Sequence, residues 1–226
     1  MVAAAAFSAL DQWQIPAPVV GPREDVRAAA RSLIPITVQH YNKMIEQGRL
    51  PSGAPVELLY GVLVWKDRSA AGEADEMGHG PKHRTATRRV AALVKRVDNE
   101  RRFLQTQLPV EASPWHSPEP DGAVLRGTDS DYANRIPRLA DALAVIEVSD
   151  SSLTKDETAK LAIYAGGGVP QYIVIDVVSE QVICYGDPDV SAETYRSRAE
   201  HARGQTFDLR VGDEEVLPIL ADDVLP

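Results

Sequence analysis

Two apolar, β-rich runs constrain this chain most: LAVIEV at 143–148 and QYIVIDVV at 171–178, each with one acid set inside it. Runs of this length and β-branched content read as strands, and the first looks buried throughout. A short helix fits between them. Thr154 followed by Glu157 has the capping-box pattern, in which each side chain satisfies an orphan amide of the first turn. Gly166-Gly167-Gly168 supplies the stop, and Val169-Pro170 leads into the second run. Buried strands joined by a helix need cover on both faces, which calls for a sheet flanked by helices.

The rest of the chain extends this picture. Thr37 is an N-cap for a helix reaching about Gln47, with Gly48 as its stop. VELLYGVLVW at 56–65 reads as two strands bent at Tyr60-Gly61, and KDRSAAGEADEMGHGP at 66–81 as a polar connection. Ala86, Val90, Leu93, Val94 and Val97 fall at helical spacing and predict a helix over 81–102. Further strands are expected near 104–111, 121–125 and 180–185, with short ones near 205–211 and 215–220 in an acidic, loop-rich C-terminal stretch. The order α-β-β-α-β-β-β-α-β-β predicts an α+β fold with a mixed β-sheet flanked by helices. Residues 1–30 show no sustained period and read as an N-terminal arm, leaving 31–226 as the domain.

Composition narrows the setting. With 226 residues, 44% hydrophobic and 25% charged, the chain can bury a sizeable core without staples. The single cysteine, Cys184, excludes an internal disulfide and a multi-cysteine zinc module, and a reducing compartment is the simplest inference. No apolar run approaches the length that spans a bilayer, and the Ala-rich N-terminus lacks a basic n-region, so a cytoplasmic protein without a membrane partner is expected. A net charge of −9 argues against a protein that coats DNA. It leaves room for a local site that acts within a Debye length of about 8–10 Å.

The acids carry the chemistry. Asp121 opens an apolar strand after two prolines, and Glu147 closes one. Two carboxylates about 4 Å apart repel by roughly 4 kcal/mol at an effective dielectric of 20, so they meet only around a cation or a shared proton. Spacing alone also allows solvent-facing acids at strand ends. Asp156, Lys160 and Tyr164 share one helix face. They form either a surface ion pair or a lysine aimed at the carboxylates. Glu57 is the only charge in VELLYGVLVW, with a structural role as open as a catalytic one. His79 and His83 have i, i+4 spacing, but Gly80-Pro81 breaks the helix between them and no HExxH glutamate is present, which disfavours zinc; His83 can instead begin the second helix and face the carboxylates. Ser152-Leu153-Thr154-Lys155 lacks the KTG and SDN partners of a serine hydrolase. The triple glycine lacks the following Lys-Ser/Thr of a phosphate loop. Arg88, Arg89 and Lys95 read equally as a phosphate-binding strip or a solvated helix face.

The block from Glu147 to Asp176 resembles the Uma-type restriction endonuclease family. That family shows Glu-Val-x-Ser, then Asp-x-x-x-Lys-x-x-x-Tyr, then Gly-Val-Pro-x-Tyr and a strand ending in Asp. Here these are Glu147-Val148-Ser149, Asp156, Lys160, Tyr164, Gly168-Val169-Pro170, Tyr172 and Asp176. ITVQHYNKM, VELLYGVLV, His83 and Pro120-Asp121 match the family's earlier marks in order, and the resemblance spans about 34 to 220. It implies a restriction-endonuclease-like core of the PD-(D/E)xK superfamily and a Mg²⁺- or Mn²⁺-dependent endonuclease that hydrolyses DNA phosphodiesters, expected as a homodimer. It further implies Asp121 and Glu147 as metal ligands, Glu57 as an accessory acid, Lys160 as the lysine, His83 as an auxiliary residue and Gln107 as lining. Two departures stand out. Ser149 occupies the superfamily's E-x-K lysine position, so the lysine has to come from the following helix, and Asp150 replaces the proline after Ser149. The alternatives are a non-catalytic binding or dimerisation module of the same fold, or a hydrolase of a small phosphorylated molecule.

Overall fold

The computed structural model describes residues 31, 33–50, 54, 56–66, 80–150, 153 and 156–226. The expected arm at 1–30, His79 and the Thr154 cap lie outside the described residues. The fold is mixed α+β around a six-stranded sheet, as the element order predicts.

Helix α1 (Val38–Glu46) begins where the Thr37 hydroxyl accepts the His40 amide. Strands β1 (Val56–Leu59) and β2 (Val62–Trp65) form a hairpin of their own. Its two-residue turn puts Tyr60 at φ 53° and Gly61 at φ 73°. Two left-handed residues in succession suit the right-handed twist of the strands they join. Helix α2 (Pro81–Ala92) and the single turn α3 (Val94–Val97) replace the one helix expected over 81–102. The chain leaves helical geometry at Asp98, whose Oδ1 accepts the Leu104 amide, and Asn99 Oδ1 takes the amides of Arg101 and Arg102. Short polar side chains that bond the backbone in this way compete with helix continuation.

The main sheet runs β3 (Arg102–Gln105), β4 (Gly122–Arg126), β5 (Ala142–Ser149), β6 (Gln171–Asp176), β7 (Gln181–Asp189) and β8 (Thr194–Ala202), in that spatial order. All neighbours are antiparallel except β5 and β6, which are parallel. A parallel pair needs a crossover, and the chain supplies a π-helical turn (Asp156–Lys160) followed by α4 (Leu161–Gly166). Strands β9 (Thr206–Arg210) and β10 (Val216–Leu220) form a second hairpin. The strand expected over 104–111 ends at Gln105, and β8 was not expected at all.

Strand alternation sorts the core into two layers. Ala144, Ile146 and Val148 of β5 pack with Val90 and Val97 and with Phe207 and Ile219 of the C-terminal hairpin. Val145 faces the opposite layer, with Leu59, Ile163 and Tyr172. Glu147 shares the parity of Val145, and Asp121 that of Ala123 and Leu125, so period-2 geometry aims both acids at the layer holding α4 and β1. Arg89 donates to the Asp222 and Leu225 carbonyls and Arg96 to the Pro218 carbonyl. Those two cations tether the C-terminal segment, which takes Arg89 out of the phosphate strip considered from sequence.

The β1–β2 turn is the steric hinge of the hairpin. A Cβ on Gly61 falls 2.4 Å from Pro35 Cβ, whereas Gly48, at φ 66°, has open space. Gly61→Ala is expected to destabilise by about 2–3 kcal/mol and Gly48→Ala by about 1 kcal/mol in urea unfolding. Equal losses would contradict this packing.

Candidate active site

Four elements converge at the C-terminal end of β5. β5 offers Glu147, 3% exposed, within a strand whose eight residues are all buried. The antiparallel register pairs Gly122 with Ile146, which sets Asp121 across from Glu147 at the next position. Asp121 Oδ2 accepts the Val148 amide at 2.8 Å, a bond that locks the acid to the neighbouring strand. β1 contributes Glu57, fully buried on the side that Leu59 also faces. The crossover contributes Lys160, whose Nζ donates to Glu147 Oε1 at 2.9 Å and lies 3.3 Å from Glu57 Oε2 and 3.9 Å from Asp156 Oδ1.

The surface-pair reading of Asp156 and Lys160 therefore gives way, because both side chains are buried. Lys160 sits where a π-helical turn passes into α4. π-turns are rare, occur mostly as single turns within α-helices, and are frequent at functional sites. One turn on, Tyr164 donates its hydroxyl to the same Glu147 Oε1 at 2.7 Å and packs against Tyr172. Tyr172 in turn donates to the Asp156 carbonyl at 3.2 Å, which anchors the first residue of the π-turn. Tyr60 donates to the Ala159 carbonyl at 3.3 Å from the opposite side.

The remaining candidates border Asp121 and the segment leading into it. His83, in the first turn of α2, has Nε2 3.9 Å from Asp121 Oδ2. Gln107 is exposed in a left-handed turn, and its amide donates to the Pro120 carbonyl, so it borders the segment leading into Asp121. All five residues singled out from sequence (Glu57, His83, Asp121, Glu147 and Lys160) thus lie in one cluster. Sequence reasoning missed Glu119 and Lys66, which pair with one another. The Glu119 amide approaches Glu57 Oε2 at 3.4 Å. The signal for Glu119 was its place between Pro118 and Pro120, two residues ahead of Asp121. The Glu157 carboxylate accepts from the Tyr185 hydroxyl and contacts Arg198, so it reaches toward β7 and β8.

Burial sets the electrostatics. It lifts the Glu147 carboxyl to about 8; Lys160 opposes that rise, and Asp156, Asp121 and Glu57 add to it. Burial also works against the charge of Lys160, yet Glu147, Glu57 and Asp156 together hold its ammonium well above the ordinary lysine value. Burial foremost, and then Glu147, keeps the Tyr164 hydroxyl protonated and hence a donor.

The donor set fits a hard divalent cation. Glu147 and Asp121 stand across from each other on neighbouring strands, with Glu147 Oε1 accepting from Lys160 and Tyr164 and Asp121 Oδ2 from the Val148 amide, two carboxylates of the hard-oxygen type such an ion takes. Mg²⁺ is usually held by one or two carboxylates and keeps several waters. Among the described residues no three His, Cys, Asp or Glu side chains form a ready-made cage.

Comparisons with known proteins bear on the family and the fold. The Uma2 family model, described as "Putative restriction endonuclease", matches residues 67–213. That range includes His83, Asp121, Glu147 and Lys160 and leaves out Glu57. No curated protein matches the chain. A solved structure described as a "putative nuclease belonging to DUF820", from Anabaena variabilis, is similar over 84% of this chain and 97% of that one, at a TM-score of 0.58 and 17% identity. That likeness shows a shared fold.

The raised Glu147 carboxyl makes stability depend on pH. The folded group binds a proton more tightly than the unfolded one, whose ordinary value is 4.5. Its contribution is complete below that value and is lost as pH rises through about 8. In EDTA, wild type is expected to lose stability between pH 6 and pH 8.5, and Glu147→Gln to lose less. Parallel urea-unfolding curves for the two proteins would contradict the assignment.

Proposed function

The chain belongs to the Uma2 family, and from that premise we propose that it is a divalent-metal-dependent endonuclease that hydrolyses DNA phosphodiester bonds. One observation carries the reading: a lysine delivered by the crossover helix reaches the strand-end glutamate, with a second carboxylate facing that glutamate from the next strand. Ser149 leaves the strand without a cation at the superfamily's usual place, and Lys160 approaches the same glutamate from the π-turn ahead of α4.

Asp121 and Glu147 are the residues that would hold Mg²⁺ or Mn²⁺. When bound, the ion supplies Lewis-acid polarisation of the phosphate and neutralises developing charge. Lys160 orients the attacking water and offsets charge on the phosphate. Glu57 and Asp156 fix the lysine from two other sides, and Tyr164 fixes the Glu147 carboxylate. His83, itself buried, stands beside Asp121 as an auxiliary group. DNA is the proposed partner, and a homodimer in the cytoplasm belongs to the same reading. The single cysteine supports a reducing compartment, and no helix among the described residues is long and apolar enough to cross a membrane.

A non-catalytic module of the same fold is the second reading, because Ser149 stands at the superfamily's lysine position and Asp150 adds a negative charge beside the site. Cleavage of single-stranded, double-stranded and branched DNA in Mg²⁺ and in Mn²⁺ separates the two readings. Wild type is expected to cut at least one substrate. Asp121→Ala and Glu147→Ala should each abolish both cutting and calorimetric Mn²⁺ binding, and Lys160→Met should cut about 10²-fold more slowly or worse. Mn²⁺ binding that survives in both alanine variants, with no cutting by wild type, would contradict the proposal.

A further inference from the structure

The position of Lys160 has a consequence for how the site takes up its ion. Lys160 is 5% exposed, and its ammonium lies within 4 Å of three carboxylates, two of which come from other elements. Asp121 stands across from Glu147 on the neighbouring strand. Three carboxylates thus face one fixed cation, with the Glu119–Lys66 pair beside Glu57 and His83 next to Asp121. A solvated surface lysine would swing aside at little cost. This one is held between β1, β5 and its own π-turn, which is pinned by Tyr60 and Tyr172 through the Ala159 and Asp156 carbonyls.

Resting on the metal-site reading above, we propose that Lys160 is a resident competitor of the divalent ion: it holds Glu57, Glu147 and Asp156 together in the metal-free protein and weakens the site's affinity for the ion it serves. Both cations draw on one carboxylate, Glu147, through its two oxygens. Like charges so close in a buried setting repel strongly, because little water lies between them to screen the interaction. Removing one partner of a buried charged group also leaves the others uncompensated. An uncompensated carboxylate cluster binds a divalent cation more tightly, and the cation then restores the fold. Lys160 thereby sets a threshold: the site stays assembled without metal and loads only when the ion is abundant.

The test uses Mn²⁺ alone, without DNA, and reads binding by calorimetry and the thermal unfolding midpoint in EDTA and in Mn²⁺. Lys160→Met is expected to unfold at lower temperature than wild type in EDTA. It is also expected to bind Mn²⁺ at least 10-fold more tightly, a change of about 1.4 kcal/mol. Its midpoint should rise more on Mn²⁺ addition than that of wild type. Lys160→Gln, which keeps a hydrogen-bond donor and drops the charge, is measured alongside and carries the same expectation if the methionine variant does not fold. Affinity equal to or weaker than wild type in the folded variant would overturn the proposal. Asp121→Ala separates the two ideas. If it removes Mn²⁺ binding while the Lys160 variants show no gain, the metal site stands and the competitor role fails. If no variant and no wild type binds Mn²⁺, both fall.

Discussion

One ammonium group ties this fold together. Lys160 lies among Glu147, Glu57 and Asp156, drawn from a central strand, a separate hairpin and its own π-turn. A buried ion pair is weak evidence for stability in itself, because desolvating two charges can outweigh their attraction. The arrangement persists because each partner is individually held: Glu147 by Tyr164, the π-turn by Tyr60 and Tyr172, and Glu57 by a strand with every residue buried. The β1–β2 hairpin pairs with no strand of the main sheet. Its Glu57 contact with Lys160 is one of the polar links that join it to the rest of the molecule.

Topology explains why the chemistry gathers at this end. The parallel pair β5–β6 forces a crossover, and the crossover returns over the C-terminal end of β5. In open sheets with parallel strands, ligands bind outside the carboxyl ends of the strands. Here that end carries Glu147, and the antiparallel neighbour β4 begins there with Asp121 just ahead of it. Alternation does the rest, turning both acids toward the layer that contains Lys160. The opposite layer, built on Val90, Ile146, Phe207 and Ile219, is apolar and closes the sheet against the C-terminal hairpin.

Much of this was legible in the sequence where local chemistry decides. The Thr37 cap, the Tyr60-Gly61 turn, the two apolar runs of β5 and β6 and the C-terminal hairpin all follow from side-chain identity and period. The edge strand β8 did not, because TYRSRAEHA is mostly exposed, with Tyr195 its one buried residue, and carries no apolar alternation. Arg196 and Arg198 along it pair with nearby acids, the charged dress that keeps an edge from pairing with other chains. The break at Leu93 and Asp98 was hidden by an apolar spacing that continues through both helical pieces. The acids were legible as candidates, and their convergence was not. Whether Asp156 and Lys160 face water or Glu147 depends on packing by Tyr164 and Tyr172, which no spacing rule encodes. Glu119 and Lys66 escaped for the same reason: their pairing joins residues far apart in the chain.

The central claim is that Asp121 and Glu147 form one cation-binding end of the sheet, and a backbone reporter sits inside it. The Val148 amide donates to Asp121 Oδ2, one residue beyond Glu147. Substoichiometric Mn²⁺ added to ¹⁵N-labelled protein broadens amide signals according to their distance from the ion. The account predicts that Val148 and Gly122 broaden first, ahead of every amide in the acidic segment 213–215. First broadening at that segment, or uniform broadening across the spectrum, would contradict it.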